Sequence, residues 1–338
     1  MKKKITIAID AMGGEKAPFK TIEGINLFYS KNKLKNDFFF NIFGDEKKID
    51  QELNKYKISQ NCYKIYHTTS AVADDETPLT AIKNSKNSSM WNSVFSQVNA
   101  VSDITLSAGN TGVLLVISRM ILKTFEGVSK PALAGLWPNN NGMNIVLDLG
   151  ANIECDENNL IEFAEMGAAL HKSLFPSEEQ KVALLNIGSE EIKGTETIKK
   201  AYSDLKNISQ KGDFVFNGYI EGNKITEGNS NVIVTDGFTG NIALKTAEGT
   251  ANFITSELKN AMTGTLIGKI SSLLNISNLR KFKKRLDPRL YNGAIFIGLD
   301  SPVVKSHGGT DYIGFSNSLD VCHRIVKGNL IEKIKQNI

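Results

Sequence analysis

The chain has 338 residues, of which 41% are hydrophobic and 22% charged, values that exclude a mainly disordered protein. Its formal net charge of +4 comes with no basic stripe interleaved with aromatic residues, so nucleic-acid binding has no support. Three widely spaced cysteines exclude a disulfide framework, and no run of about 18 apolar residues exists to span a bilayer, so we expect a cytoplasmic protein.

Strand-like runs alternate with amphipathic helical stretches from the N-terminus to about Ala261. In chain order the predicted elements are a strand at 5–10, a helix at 18–29, strands at 38–43 and 62–67, a helix at 111–123, two strands flanking the turn 137–142, and a helix at 160–174. This alternation predicts an α/β fold with a doubly wound, mostly parallel sheet and helices on both faces.

Five strand-like runs each end in a turn of Gly, Asn, Asp or Ser. These segments are 5–14, 104–112, 145–152, 182–188 and 232–241. In an open parallel sheet such turns all emerge at the carboxyl edge, where ligands bind. We therefore predict that the substrate site lies on that one edge.

Several common motifs are absent from the sequence. No G-x-G occurs, and the segment Gly264–Ile270 is one residue too short between its glycines for a phosphate-binding P-loop. The four histidines show no zinc-ligand spacing. Asp10, Asp148 and Asp236 stand at strand ends, but aspartate at such turns commonly caps helices, so we do not predict a metal site.

The segment Ser107–Gly112 combines a strand exit, small residues and a helix start. Backbone N–H groups of Gly109 and Gly112, with the side chains of Asn110 and Thr111, suit an anion at a helix N-terminus. The alternative is an ordinary helix cap made by Asn110 or Thr111.

The segment Asp236–Asn241 repeats this arrangement. The Gly240 and Asn241 amides and the Asn241 side chain suit a developing oxyanion. The alternative is a tight turn whose glycines only permit the bend.

Two isolated residues complete the predicted site. Lys193 lies beyond the turn after the strand near 182–185, where a lysine suits a dianion but is more often a solvated surface group. His307 follows an apolar run and is as compatible with a hydrogen-bonded loop residue as with an acid–base group.

The segment 255–291 is amphipathic and basic. Its helically spaced apolar residues and its basic residues are Leu266, Ile267, Ile270, Leu273, Leu274, Lys283, Lys284 and Arg285. Such helices suit an anionic membrane surface or an acidic partner protein. A dimer-forming hairpin with a solvated charged face is the alternative.

Taken together, the segments 10–18, 107–112, 147–152, 186–194 and 236–245 resemble the PlsX family of acyl carrier protein:phosphate acyltransferases. The likeness runs along nearly the whole chain. Lys130, Asn292 and the pair Gly309–Thr310 depart from the residues usual in that family.

This resemblance implies a single catalytic domain over 1–338 with an isocitrate/isopropylmalate-dehydrogenase-like fold, a protruding helical hairpin, a homodimer and transient contact with an anionic membrane. It also implies acyl carrier protein and inorganic phosphate as substrates, the downstream glycerol-3-phosphate acyltransferase as a further partner, and no cofactor. The alternatives are a coenzyme A-dependent phosphate acetyl- or butyryltransferase, a dehydrogenase on the same scaffold and a non-catalytic membrane scaffold.

The implied reaction needs no protein nucleophile, because phosphate itself attacks the thioester. We expect Lys193, Asn241 and His307 to be catalytic, and we assign phosphate to Ser107, Asn110, Thr111 and Lys193. The residues expected to bind substrate are Asp10, Gly13, Gly14, Ser107, Gly109, Asn110, Thr111, Gly112, Asn152, Asp236 and Gly240.

Overall fold

The computed structural model describes residues 4–31, 37–210 and 213–337. In this part of the chain the strands form one eleven-stranded sheet. The strands are β1 (Ile5–Asp10), β2 (Phe38–Gly44), β3 (Tyr63–His67), β4 (Ile104–Ser107), β5 (Ala132–Pro138), β6 (Met143–Leu147), β7 (Lys181–Leu185), β8 (Val215–Ile220), β9 (Val232–Val234), β10 (Ala294–Ile297) and β11 (Val303–Lys305).

Helices cover both faces of the sheet, which confirms the doubly wound α/β fold. They are α1 (Phe19–Lys31), α2 (Glu46–Leu53), α3 (Pro78–Asn84), α4 (Ser89–Val98), α5 (Thr111–Leu122), α6 (Glu157–Leu174), α7 (Glu196–Ile208), α8 (Gly237–Thr263), α9 (Leu266–Leu274), α10 (Ile276–Arg285), α11 (Tyr312–Lys327) and α12 (Leu330–Asn337). The predicted elements match β1, α1, β2, β3, α5, the β5–β6 pair and α6 within a few residues.

The strand side chains divide between two buried layers. In β9, Val232 and Val234 pack into one apolar cluster while Ile233 packs into the cluster on the opposite face. Because successive side chains of a strand point to opposite faces, a strand that is apolar throughout requires helices on both sides. The continuous apolar runs of the sequence follow from this burial.

The sheet order is β3-β2-β1-β4-β11-β10-β5-β6-β9-β7-β8. The strands β3, β2, β1, β4 and β11 are parallel, and so are β6, β9, β7 and β8. Between them the pairs β11–β10, β10–β5 and β5–β6 are antiparallel, so the two parallel sets run in opposite directions.

The prediction that all five turns share one carboxyl edge is therefore wrong. The turns after β1 and β4 leave one edge of the sheet, and those after β6, β7 and β9 leave the other. The β5–β6 hairpin is the physical reason, because a connection of a few residues joins antiparallel strands and cannot make a parallel crossover.

Sheet twist partly offsets this reversal. Neighbouring strands are rotated by about 20 to 25°, so the five steps from β4 to β9 accumulate roughly 100 to 125°. Strands that run in opposite senses across such a twist point within roughly 55 to 80° of each other in space. A twist of this size would turn the two sets of carboxyl ends partly toward the same side.

The helices α8, α9 and α10 stand apart from the rest. In the 27-residue α8 the buried residues are Gly237 and Gly240, and α9 and α10 have none. Large exposed apolar side chains run along all three, with Leu274 of α9 85% exposed. Within the described ranges, no helix has the length and apolar character that crossing a bilayer requires.

Candidate functional site

Three loops at the carboxyl ends of the adjacent parallel strands β1, β4 and β11 converge on Gly14. A Cβ atom at this residue, whose φ is +77°, would lie 2.6 Å from the Ala108 carbonyl and 3.1 Å from the Gly308 carbonyl. Only glycine suits that backbone and that space. We call residues 10–14, 107–112 and 305–309 the first loop group.

The Asp10 carboxylate and the Ser107 hydroxyl lie at the base of the first loop group. Ser107 Oγ donates to Asp10 Oδ2 at 2.7 Å and accepts from the Gly109 amide at 3.1 Å. Burial raises the pKa of Asp10, against the lowering effect of hydrogen bonds from Ser89 and Ser107. Both side chains are fully buried, and they pack against Gly13 and Gly109.

Two lysines that the sequence analysis did not single out enter the same group. Lys20 of α1 is 5% exposed and Lys305 at the end of β11 is 8% exposed. Lys20 Nζ donates to the Gly308 carbonyl and Lys305 Nζ to the Ser306 carbonyl. Burial lowers the pKa of Lys305 to about 8, with a smaller lowering from the charge of Lys20.

The loop that carries His307 is held by Asn292. The Asn292 side chain donates to Ser306 Oγ at 2.8 Å and accepts from the His307 amide at 2.9 Å. The His307 ring is exposed at the loop surface, and its Nδ1 accepts from the Gly309 amide at 3.2 Å. Partial desolvation, then the charge of Lys305, lowers the pKa of His307.

The Asn110 side chain is already occupied. Its Oδ1 accepts from the Val113 amide at 3.1 Å, which caps α5, and its Nδ2 donates to the Asp74 and Glu76 carbonyls. The helix-cap interpretation thus describes Asn110, while the neighbouring Thr111 is exposed and Gly112 half-buried at the start of α5.

A second loop group, residues 148–152, 186–194 and 236–241, follows β6, β7 and β9. Its centre is Asp148, which is fully buried and accepts from the amides of Leu133, Ala151 and Asn152 at 2.7 to 3.0 Å. The Asn152 Nδ2 donates to Asp148 Oδ2 at 2.9 Å and to the Pro131 carbonyl at 2.8 Å. Asp148 and Asn152 therefore fix the turn after β6.

The first turn of α8 packs directly on that turn. A Cβ atom at Gly240 would lie 1.9 Å from the Asp148 carbonyl oxygen, so only glycine fits. Asp236 caps the helix by accepting from the Thr239 amide at 2.8 Å, and the Gly240 amide donates to the Asp236 carbonyl at 2.9 Å. The predicted Gly240 amide is thus already used within the helix, whereas the Asn241 side chain is exposed beside Gly150.

Lys193 does not join the first loop group. It is exposed in the loop after β7, next to β9, where the Asn186 Nδ2 donates to its carbonyl at 3.1 Å. Ser107 lies at the opposite edge of the sheet, at the end of β4. The structure therefore groups Lys193 with Asn241 and not with the predicted anion turn.

Charged residues of helix α8 act electrostatically on the first loop group. Lys245 and Glu248, one and two turns beyond Asn241, are close enough to His307 for their charges to shift its pKa in opposite directions. One turn of helix advances about 5.4 Å. The charges of Lys245 and Glu248 on α8 thus act on the loop that carries His307.

The missed residues carry weak sequence signals. Lys305 directly follows the apolar pair Val303–Val304 in β11, and the side chains of both valines are buried. A lysine at the end of such an apolar run is the weak signal in this case. Lys20 lies in the first turn of a helix and resembles any surface lysine in sequence. Among the described residues no group of three or more His, Cys, Asp or Glu side chains has the geometry of a metal site.

Known proteins resemble this chain over its whole length. The family described as "Fatty acid synthesis protein" matches residues 5–333. A protein from Pelagibacter ubique named phosphate acyltransferase is 63% identical over 338 residues and covers 100% of both chains. One of the same name from Rhodospirillum rubrum is 42% identical, covering 100% of this chain and 95% of its own.

Solved structures share the fold at low sequence identity. The EutD phosphotransacetylase from Staphylococcus aureus has a TM-score of 0.63 at 16% identity, covering 96% of this chain and 95% of its own. A 4-hydroxythreonine-4-phosphate dehydrogenase from Klebsiella pneumoniae has a TM-score of 0.55 at 8% identity, covering 96% and 99%. With the family match over 5–333 and relatives above 40% identity along the full chain, this protein belongs to the PlsX family of fatty acid synthesis proteins.

Proposed function

We propose that this chain is an acyl carrier protein:phosphate acyltransferase of phospholipid synthesis. A phosphate oxygen attacks the thioester carbon of the acyl carrier protein, a C–O bond forms, the C–S bond breaks, and acyl phosphate and the carrier thiol leave. The proton lost by phosphate ends on the thiol or in solvent. The phosphate acyltransferase activity rests on the full-length relatives.

The observation that carries this proposal in the structure is the convergence of three glycine-containing loops on Gly14, with two buried lysines beside them. Backbone amides and cations gathered at parallel strand ends suit a small anion. We place phosphate there, near Gly13, Gly14, Gly109 and the start of α5 at Thr111 and Gly112.

The acyl carbonyl then lies across the start of α8. We assign the tetrahedral oxyanion to the Asn241 side chain alone, because the Gly240 amide donates to the Asp236 carbonyl. A donor aimed at the developing charge stabilises the transition state more than the ground state. Asn152, Asp236 and Gly240 support this donor by holding the first turn of α8 on the loop after β6.

The thiolate leaving group needs little assistance from the protein. A thiolate with a pKa of about 8.5 departs without full protonation. We assign His307 to a hydrogen bond to the departing sulfur, since this residue is exposed and charges of Lys245 and Glu248 on α8 act on it. Lys193, exposed in the second loop group, is the candidate cation for that side of the substrate.

We further propose that the chain acts as a single catalytic domain, that α8 pairs in a homodimer, and that α9 and α10 contact an anionic membrane from the cytoplasm. Phe253 of α8 is 67% exposed, and the apolar stripe of α9 is exposed throughout. A monomer rarely leaves so large an apolar surface in water. The stripe comprises Leu266, Ile267, Ile270, Leu273 and Leu274, and the basic residues Lys283, Lys284 and Arg285 of α10 suit anionic headgroups.

At the membrane the labile acyl phosphate would pass to its consumer, so a membrane-bound glycerol-3-phosphate acyltransferase is the expected downstream partner. The acyl chain itself must leave an aqueous protein for lipid, which gives the exposed stripe of α9 a use in product release.

A direct assay distinguishes an acyl carrier protein-dependent from a coenzyme A-dependent phosphate acyltransferase. Pure protein is incubated with phosphate and either palmitoyl-acyl carrier protein or palmitoyl-coenzyme A, and acyl phosphate is trapped with hydroxylamine. We expect turnover with the carrier protein to exceed turnover with the coenzyme A thioester at equal concentration. Preference for acetyl- or butyryl-coenzyme A would instead support a coenzyme A-dependent phosphate acyltransferase.

A further inference from the structure

Two buried ammonium groups in the first loop group lack a counter-ion. The described residues place no carboxylate within 4 Å of Lys20 Nζ or Lys305 Nζ, although surface lysines elsewhere form such pairs. An ammonium carries three donors, and each of these makes one hydrogen bond, to the Gly308 and Ser306 carbonyls respectively. Burying a cation without a partner is costly.

The two ammonium groups are anchored in the same loop, at the Gly308 and Ser306 carbonyls. Lys20 Nζ lies 3.0 Å from where a Cβ atom of Gly14 would be, and Lys305 is the last residue of β11, the strand that neighbours β4. The two acceptor carbonyls are two residues apart in the chain, and the charge of Lys20 is among the causes that lower the pKa of Lys305. Asp10 and Asp74 act on Lys305 from a distance with the opposite sign.

The side chains that the sequence analysis assigned to phosphate are mostly committed elsewhere. Ser107 is bonded to Asp10, Asn110 caps α5, and Lys193 lies with the second loop group. A dianion in the first loop group therefore needs another source of positive charge.

We propose that Lys20 and Lys305 are the cationic ligands of the phosphate substrate, both anchored by carbonyls of the His307 loop. This assignment rests on the proposed function for the identity of the anion. The dianion completes a site that is otherwise a buried pair of like charges. Its two negative charges match the two ammonium groups, and the carbonyl anchors restrict both side chains before phosphate arrives.

The test uses methionine variants, which keep the length and apolar stem of lysine and remove the charge. Lys20→Met and Lys305→Met are compared with Lys16→Met, which changes an exposed lysine between β1 and α1. Two quantities are measured: the KM for phosphate with palmitoyl-acyl carrier protein, and the rise in melting temperature on adding inorganic phosphate, with chloride at equal ionic strength as reference.

We expect each buried-lysine variant to raise the KM for phosphate by about 10- to 100-fold, the range for losing one charge-assisted hydrogen bond. The phosphate-dependent rise in melting temperature should disappear, because that rise reports binding to the folded state. Lys16→Met should stay within about twofold of the parent chain, as expected for an exposed, screened charge. Without phosphate the buried-lysine variants should melt no lower, since an apolar group replaces an unpaired buried charge.

Unchanged KM and an intact thermal response in Lys20→Met and Lys305→Met would overturn this assignment and leave the proposed reaction standing. If the parent chain forms no acyl phosphate, the proposed reaction fails, and the thermal response alone then decides whether these lysines bind phosphate. If Lys305→Met does not fold, the single variants Lys305→Gln and Lys20→Met are compared with the parent chain in the same two measurements.

Discussion

Ser107 Oγ of β4 donates a 2.7 Å hydrogen bond to Oδ2 of Asp10 at the end of β1, and both side chains are buried. This contact joins two neighbouring parallel strands at the point where their loops begin. The same carboxylate is one of the charges that raise the pKa of Lys305, against the larger lowering by burial. The base of the first loop group is thus coupled electrostatically to the proposed phosphate ligand.

That coupling predicts a pH effect on phosphate binding. Lys305, whose pKa is about 8, loses its charge as the pH rises, so the KM for phosphate should increase through the region around pH 8. Asp10→Asn keeps an oxygen that accepts the Ser107 bond but removes the negative charge. Because that charge favours the protonated lysine, the increase should shift to lower pH in Asp10→Asn.

The measurement is the KM for phosphate from pH 6.5 to 9.5. Lys20, Asp74 and His307 also surround Lys305, so Lys305→Met, in which this alkaline increase should be missing, identifies the titrating group. An increase at the same pH in the parent chain and in Asp10→Asn would argue against the coupling.

Asn241→Ala should lower turnover about a hundredfold or more, the range for removing one oxyanion donor in acyl-transfer enzymes. The KM for phosphate should change little, since phosphate lies in the first loop group. Steady-state kinetics with palmitoyl-acyl carrier protein measure both values. The exposed neighbour variant Ile242→Ala serves as the control, and undiminished turnover in Asn241→Ala would remove the role.

Gly240→Ala should destabilise the protein by about 2 kcal/mol or more, because its methyl group would overlap the Asp148 carbonyl. Gly249 lies in the same helix with no atom within 4 Å of its would-be Cβ, so Gly249→Ala should stabilise by about 0.5 to 1 kcal/mol. Urea unfolding measures both. Equal effects of the two substitutions would mean that α8 is not seated on the turn after β6.

The paired substitution Lys283→Glu and Lys284→Glu should weaken binding to vesicles containing anionic lipid by roughly 30-fold or more, at about 1 kcal/mol for each basic residue near the surface. The kinetics with acyl carrier protein in vesicle-free solution should be unchanged. Lys47→Glu with Lys48→Glu on α2 gives the same change of charge elsewhere. A raised KM for the carrier protein with intact vesicle binding would assign this surface to the carrier.

The sequence predicted the elements well where local pattern and burial agree. Continuous apolar runs such as Val232–Val234 are buried on both faces, and Asp236 and Asn110 cap helices as residues of their type commonly do. The capping alternatives weighed against ligand roles therefore describe much of what these two side chains do.

The relative direction of the strand sets was not predicted correctly, although a signal existed. The turn Trp137–Gly142 was identified between two strands, and its shortness implies a hairpin that reverses the chain. Lys20 and Lys305 were missed because burial of a lysine depends on contacts from distant elements, here the His307 loop. Neither the charge of these two lysines nor their positions in the sequence predict those contacts.

The central claim is that phosphate attacks the thioester directly, with no acyl group passing through the protein. Rapid mixing of the enzyme with palmitoyl-acyl carrier protein in phosphate-free buffer, followed by thiol detection, tests it most directly. We predict no burst of carrier thiol until phosphate is added, after which thiol and acyl phosphate appear together at equal rates. A phosphate-independent burst approaching one thiol per active site would show an acyl-enzyme and contradict the account.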